Sequence, residues 1–185
     1  MAFLNKRYAV VRLAATSWLL AAASALHAAT PEYQVKAVFL FNFAQFVEWP
    51  ADAFADAGSP LVFGVLGDDP FDTVLEEAVR SEKVNNRSLV VRRYRRPEDI
   101  IDCHILFISR SEAPHFGEIV ARLHDRSILT VGDAEGFNLR GGMIRSITES
   151  NKTRLRINTE AAKAAHLTLS SKLLRPAEIV PPGKD

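Results

Sequence analysis

Cysteine and histidine, which often catalyse reactions or ligate metals, are few in this 185-residue chain, and they are scattered. The chain has a single cysteine, Cys103, and five histidines. His115 and His124 are nine positions apart, so on one helix they would point to opposite sides. The motifs HExxH, GxSxG and CxxC do not occur. The sequence therefore predicts a protein that is not an enzyme and that has no metal, no cofactor and no internal disulfide.

The segment GVLGDDP raises the question of a ligand-binding loop. Gly64 and Gly67 do not have the GxGxxG or GxxxxGK[ST] spacing of a phosphate-binding loop. Asp68 and Asp69 follow an apolar run, at the strand end where α/β sheets hold ligands. Asp69 followed by Pro70 is also the pattern of a helix N-cap and first helical position. Two interpretations of Asp68 and Asp69 therefore stay open, a ligand loop and a capped helix start.

The first 28 residues have the pattern of a Sec signal peptide. Three positive charges precede an uncharged, Ala- and Leu-rich run at 13–26, which is shorter than the ~20 residues that a bilayer span needs. Cleavage after Ala25 and cleavage after Ala28 both fit, and an uncleaved anchor is the alternative. The sequence predicts export to the periplasm, with residues 1–28 as signal peptide and 29–185 as the mature domain.

The charge balance of the mature part argues against a nucleic-acid partner. The whole chain has 23 Lys and Arg against 22 Asp and Glu, and three of the positive charges lie in the predicted signal peptide. What remains is close to neutral, whereas nucleic-acid-binding domains concentrate positive charge.

The hydrophobic pattern alternates between helices and strands. Helical spacing runs from Pro31 to about Glu48, from Asp69 to Ser81, over Glu112–His124 and over Thr159–Leu174, with Thr159 as the candidate cap of the last helix. Short apolar runs predict buried strands at Leu61–Leu66, Ser88–Arg93, His104–Ser109 and Ser127–Val131. Alternating residues predict a hairpin of Met143–Thr148 and Thr153–Asn158. The fold class is α/β, a single domain with a mostly parallel central sheet flanked by helices on both faces, followed by a C-terminal antiparallel hairpin and helix.

Six segments occur in the order found in the YfiR family of small exported proteins, which this chain resembles over roughly residues 33–177. They are KAVFLFNFAQFVEWP, VLGDDPF, CHILFIS, ILTVGD, GGMI and RINTEAAKAAHLTLSSKLL. The resemblance implies a periplasmic regulator that binds and represses the sensor domain of an inner-membrane diguanylate cyclase of the YfiN type. Repression would lower cyclic-di-GMP and biofilm formation. The resemblance also implies a homodimer and release by an OmpA/Pal-like outer-membrane lipoprotein.

One departure from the family pattern leaves the partner open. The resemblance implies cysteine pairs, but Cys103, which matches a family cysteine position, has no second cysteine to pair with. The partner is then either the cyclase or another membrane protein such as a sensor kinase. The alternative function is a periplasmic small-molecule-binding module that serves such a sensor through the loops after Leu66 and Val131.

The first helix is apolar over an arc too wide for one contact, which predicts an interface in addition to core packing. The candidate residues for the partner or dimer interface are Phe39, Phe43, Phe46 and Trp49, with His166, Lys172 and Arg175 on the last helix. The alternative is that residues 51–60 or the last helix cover the whole arc, so that these aromatic residues belong to the core only.

Overall fold

The computed structural model describes residues 29–150 and 152–185. The predicted signal peptide lies outside these ranges. Within them, no helix combines the length and the apolar character needed to cross a membrane.

The described chain forms five α-helices and ten strands in α/β order. The helices are α1 Pro31–Phe46, α2 Val74–Val79, α3 Phe116–Arg122, α4 Thr159–Ala164 and α5 Ser171–Leu174. The strands are β1 Val47–Glu48, β2 Leu61–Leu66, β3 Lys83–Val84, β4 Arg87–Tyr94, β5 Ile105–Ile108, β6 Leu129–Gly132, β7 Ile144–Glu149, β8 Lys152–Ile157, β9 Thr168–Leu169 and β10 Glu178–Ile179. Short 3-10 helices occur at Ala51–Ala53, Pro97–Asp99, Arg110–His115 and Asn138–Arg140.

Eight of the strands form one sheet in the order β10-β8-β7-β6-β5-β2-β4-β3. The run β4-β2-β5-β6-β7 is parallel, and β7 and β8 form an antiparallel hairpin. Counted along the chain, the parallel strands have the order 2-1-3-4-5, one of the two common doubly wound arrangements. The predicted α/β fold with a mostly parallel sheet and a C-terminal hairpin is confirmed.

The central strands β2, β5 and β6 are buried on both faces of the sheet, which is why they are continuous apolar runs. In β5, Ile105 and Phe107 pack on the side of α1, α2, α4 and α5. Leu106 and Ile108 face the opposite side, where Phe116 of α3 completes a second core. The larger core therefore holds α1 against the sheet.

The predicted last helix over Thr159–Leu174 is wrong as a continuous element. Helix α4 ends at Ala164, His166 has φ +58°, and β9 pairs with β1 before α5 begins. The reason is tertiary: the end of α1 continues as an extended strand, and β9 supplies its hydrogen-bonding partners. The cap is also not Thr159, since the side chain of Asn158 accepts from the backbone N–H of Ala161.

The helix predicted from Asp69 starts later, at Val74. The carboxylate of Asp69 accepts from the backbone N–H of Phe71 at 2.8 Å and from Arg93 Nε at 2.6 Å. Asp72 has φ +50°, which is incompatible with a helix running through it. Asp69 therefore closes a turn before the helix and does not cap it.

Candidate functional site

Helix α1 presents apolar side chains to solvent as well as to the core. Its buried residues are Lys36, Ala37, Leu40, Phe43 and Ala44. On the opposite side, within an arc of about 100°, lies a group that we call the α1 outer face: Val35, Val38, Phe39, Asn42 and Phe46. Val35 is 46% exposed and Val38 is 53% exposed, although both are large apolar residues. The wide apolar arc is therefore only partly covered within this chain.

The four aromatic residues predicted for an interface divide between core and surface. Phe43 is 1% exposed and belongs to the larger core. Phe39 and Phe46 are half-buried on the outer face, and Phe39 contacts the Phe43 ring at a centroid distance of 6.3 Å. Trp49 lies beyond the end of α1, with its ring centroid 6.3 Å from that of His104. Phe39 and Phe46 are therefore accessible to a partner, whereas Phe43 lies in the core and contacts Phe39 from beneath.

His166, Lys172 and Arg175 are all exposed, and they do not share one helix. His166 lies in the turn after α4, whereas Lys172 is in α5 and Arg175 follows it. The backbone N–H of Ser170 donates to the carbonyl of Phe46 at 2.9 Å, which places the start of α5 beside the end of α1. Lys172 and Arg175 are thus carried on an element that flanks the C-terminal end of α1.

A buried ionic cluster, which we did not predict, joins α1 to the carboxyl ends of β5 and β6. The Asp133 side chain is 0% exposed, and its carboxylate accepts from Lys36 Nζ at 2.5 Å, Tyr33 Oη at 2.9 Å and Arg110 Nε at 3.0 Å. Lys36 Nζ also lies 2.6 Å from a carboxylate oxygen of Glu32. Two carboxylates and two cations are therefore arranged around one buried point.

The pKa values of the cluster follow from burial and pairing. Burial, followed by the charge of Asp133, raises the pKa of Tyr33, so its hydroxyl remains a donor. The hydrogen bond from Lys36 lowers the pKa of Glu32. Because each charge has an opposite partner, the cluster fixes α1 on the sheet. The only sequence signal for it was a lysine in the middle of an apolar helix.

Asp68 and Asp69 do lie at the carboxyl end of β2, next to the point where the strand order reverses. The Asp69 carboxylate is occupied by Phe71 and Arg93, while Asp68 is exposed. The backbone N–H of Asp68 donates to Ser111 Oγ at 3.0 Å, so the 3-10 helix Arg110–His115 lies beside this end of β2. A ligand at Asp68 and Asp69 stays a prediction, and it would have to displace the Asp69–Arg93 pair.

A cavity of about 360 Å³ opens at the opposite, amino-terminal edge of the sheet. Cys103 and His104 line it together with Phe54 and Arg126. Burial raises the pKa of the Cys103 thiol to about 12, so this cysteine is protonated at neutral pH and is a poor nucleophile. Cys103 therefore packs as an apolar core residue.

His104 is held as a neutral imidazole by two backbone groups. Its Nδ1 accepts from the Val62 N–H at 3.1 Å, so its Nε2 carries the proton and donates to the Ala53 carbonyl at 3.1 Å. Its ring stacks on Phe54 at 4.3 Å, and the Arg87 guanidinium lies 3.8 Å from the other face of Phe54. His104 thus attaches the loop that contains Phe54 to the first residues of β2.

Acidification is expected to destabilise the protein through His104. Burial lowers the pKa of His104 in the fold; the hydrogen bond to the Ala53 carbonyl and the charge of Asp102 oppose this, and Arg87 and Arg92 add to it. The unfolded chain takes up a proton below pH about 6.5, whereas the folded imidazole resists it. The contribution to stability is therefore complete above pH 6.5 and is lost as the pH falls from there towards the folded pKa.

Melting temperatures between pH 7.5 and pH 5 test this expectation. The melting temperature of the wild type should fall in this range, and the fall should be smaller in His104→Gln. The exposed His115 is the matched control, and His115→Gln should melt with the same pH profile as the wild type. An unchanged profile in His104→Gln would contradict the expectation.

Comparison with known proteins gives one family. The family model described as DUF4154, YfiR/HmsC-like, matches residues 33–178. No protein among those with curated descriptions matches the chain.

Proposed function

We propose that this chain, which belongs to the YfiR/HmsC-like family, is a periplasmic regulator. It binds and represses the sensor domain of an inner-membrane diguanylate cyclase. The observation that carries the proposal is the family match over 33–178, which includes every element of the sheet except the last residue of β10. Repression would lower cyclic-di-GMP and biofilm formation. The protein would act by binding alone, through a surface and without a reaction.

The α1 outer face is the surface that we assign to the cyclase sensor domain. It combines Val35 and Val38 with the half-buried rings of Phe39 and Phe46, and aromatic residues dominate the energetics of interfaces. No charged residue occurs from Ala37 to Val47. Binding through this face would therefore be driven by apolar burial, and its affinity should change little between low and high salt.

Deletion of the gene should raise intracellular cyclic-di-GMP, and only the exported protein should restore the original level. The full-length chain restores repression because it reaches the periplasmic sensor domain. A version that starts after residue 28 stays on the wrong side of the membrane and fails to restore it. The measurement is cyclic-di-GMP in extracts of the deletion strain carrying each version, with immunoblots as the control for equal expression.

An unchanged cyclic-di-GMP level on deletion would contradict the cyclase as partner. Rescue by the version that lacks residues 1–28 would contradict action in the periplasm. Pulldown from membranes with residues 29–185 as bait would then identify the partner.

Two further partners belong to the same proposal. A second copy of the chain would form a homodimer, and an OmpA/Pal-like outer-membrane lipoprotein would draw the regulator away from the cyclase. Lys172 and Arg175 on the flank of α1 supply positive charge at the border of the apolar surface. Arg175→Glu should then weaken partner binding without changing the melting temperature.

A second candidate function is a small-molecule-binding module that serves another membrane sensor such as a histidine kinase. The cavity of about 360 Å³ supports it, since small-molecule sites have volumes of this order. This cavity lies at the amino-terminal edge of the sheet, opposite the loops after Leu66 and Val131 where we expected a ligand. A ligand there would raise the melting temperature in proportion to the logarithm of its concentration. If no compound in a library of small molecules raises the melting temperature, this function is contradicted.

A further inference from the structure

The side-chain carboxylate of Asp185, in the tail that follows β10, is held by three donors. The side chain of Asp185 accepts at Oδ2 from the backbone N–H of Gly136 at 2.7 Å and from Arg145 Nη1. Its Oδ1 accepts from the backbone N–H of Asn138 at 3.2 Å. The Arg145 side chain is 13% exposed and that of Asp185 is 14% exposed. Three separate groups, from the β6–β7 loop and from β7, therefore converge on one carboxylate.

The donors are positioned by the fold and not by the tail. Gly136 has φ +74°, and this left-handed turn directs its N–H and that of Asn138 to the same side. Asn138 is completely buried, and its Nδ2 donates to the carbonyls of Gly142 and Met143. Arg145 lies within β7, paired across the hairpin with Arg156. Because these contacts are internal to the sheet and its loop, the two N–H groups and the backbone of Arg145 do not depend on Asp185 for their positions.

Little else holds the tail. Val180 is buried, and its N–H donates to the carbonyl of Ile157 at 3.0 Å. Residues 181–184 are exposed, and the one backbone hydrogen bond among them runs from Lys184 to Pro181. Within the described residues, the contacts that hold 181–185 to the rest of the fold are therefore mainly those of Asp185.

Removal of Asp185 would leave positive charge without an internal counterion. Arg145 Nε is already buried without a hydrogen-bonding partner among the described residues. Arg156, which faces Arg145 across the hairpin and pairs with Glu178 at 2.8 Å, is a second cation and supplies no counterion. A buried guanidinium with two backbone N–H groups beside it strongly attracts an anion.

We propose that Gly136 N–H, Asn138 N–H and Arg145 form a carboxylate-binding site that Asp185 fills as an internal ligand. Displacement of the tail opens the site to an external carboxylate, either an Asp or Glu side chain of a partner peptide or a free small carboxylate. Carboxylate is the favoured anion because the donors divide between two oxygen atoms, as they do for Asp185. The site is independent of the α1 outer face and of the regulator role.

Binding in trans to a chain without the internal ligand tests the proposal. The protein is residues 29–185 with Asp185→Ala, and the probe is the capped peptide of residues 181–185, Pro-Pro-Gly-Lys-Asp. Amide NMR shifts of Gly136 and Asn138 report binding directly. Asp185→Ala should bind the peptide saturably and about tenfold or more tightly than the wild type, whose tethered tail competes at high effective concentration.

A titration with sodium acetate at constant ionic strength distinguishes a free small carboxylate from a partner peptide as the external ligand. Shifts of the same two amides with acetate would assign the site to free carboxylates. Shifts with the peptide alone would assign it to a partner peptide. A peptide that ends in Asn is the control and should not bind.

The proposal is overturned if Asp185→Ala binds the peptide no better than the wild type does, or if the Asn-ending peptide binds equally well. Adding Arg145→Gln to Asp185→Ala should abolish binding. If that variant is not folded by its melting curve, Arg145→Lys takes its place, since lysine keeps the charge but loses the planar guanidinium. Undiminished binding in the folded Arg145 variant would also overturn the proposal.

Discussion

Replacing Asp133 with alanine should lower the free energy of unfolding by about 3–5 kcal/mol, the usual cost of removing one partner from a buried ion pair. Asp133 is the common acceptor for Lys36, Tyr33 and Arg110. Without it, the Lys36 ammonium, which is 3% exposed, retains Glu32 and the face of the Tyr33 ring, and the Tyr33 hydroxyl loses its acceptor. Urea denaturation followed by circular dichroism measures the difference.

A matched control shows whether the destabilisation by Asp133→Ala exceeds that caused by the loss of an exposed ion pair. Asp99 pairs with Arg96 at 2.9 Å, but both side chains are well exposed, so Asp99→Ala should unfold almost as the wild type does. Adding Lys36→Met to Asp133→Ala should recover part of the loss, because it removes the ammonium that was left with fewer partners. Equal midpoints for Asp133→Ala and Asp99→Ala would show that the cluster does not hold α1 on the sheet.

The central strands could be predicted from the sequence because they are buried on both faces of the sheet. Segments such as LVFGVL and HILFIS are short and continuously apolar, and their order along the chain with helices between them already indicates a parallel sheet. The alternation in the hairpin was similarly visible. These are local signals, and the structure places strands at each of these positions.

The parts that failed depend on contacts between distant residues. TEAAKAAHLTLSSKLL has helical composition throughout, yet pairing of β9 with β1 interrupts it at Thr168–Leu169. Lys36 and Asp133 are 97 positions apart, so nothing near either residue indicates the pair. The contact of Asp185 with Gly136 is of the same kind, because it joins the chain end to a loop 49 positions earlier.

Only part of the candidate interface could be predicted, because the rotation of α1 on the sheet also depends on contacts between distant residues. The width of the apolar arc shows that α1 has more than one contact, but not how the helix is rotated on the sheet. Phe39 and Phe43 are one turn apart and equally apolar, yet only Phe43 is in the core. A hydrophobic pattern alone could not assign one to the interior and the other to a partner.

Val38→Asp should abolish repression while leaving the protein folded. Val38 is 53% exposed on the α1 outer face, so the free energy of unfolding should change by no more than about 0.5 kcal/mol. In a complex the new carboxylate would be buried without a partner, at a cost of several kcal/mol, which corresponds to a loss of affinity of more than about 100-fold. Cyclic-di-GMP in a strain carrying Val38→Asp should match that of the deletion strain.

Two comparison variants decide between an interface and a general defect. Leu139 is 54% exposed on a 3-10 helix away from α1, so Leu139→Asp introduces the same charge at equal exposure and should keep repression. Phe43 is 1% exposed, and even its truncation to alanine should cost about 3–5 kcal/mol, so Phe43→Asp should unfold the protein. If Val38→Asp represses normally, the α1 outer face is not the docking surface. If Leu139→Asp fails as Val38→Asp does, the defect is not specific to α1. Loss of repression in a folded Val38→Asp, with Leu139→Asp active, would mean that the exposed side of this apolar helix is retained for a partner while its buried side serves the fold.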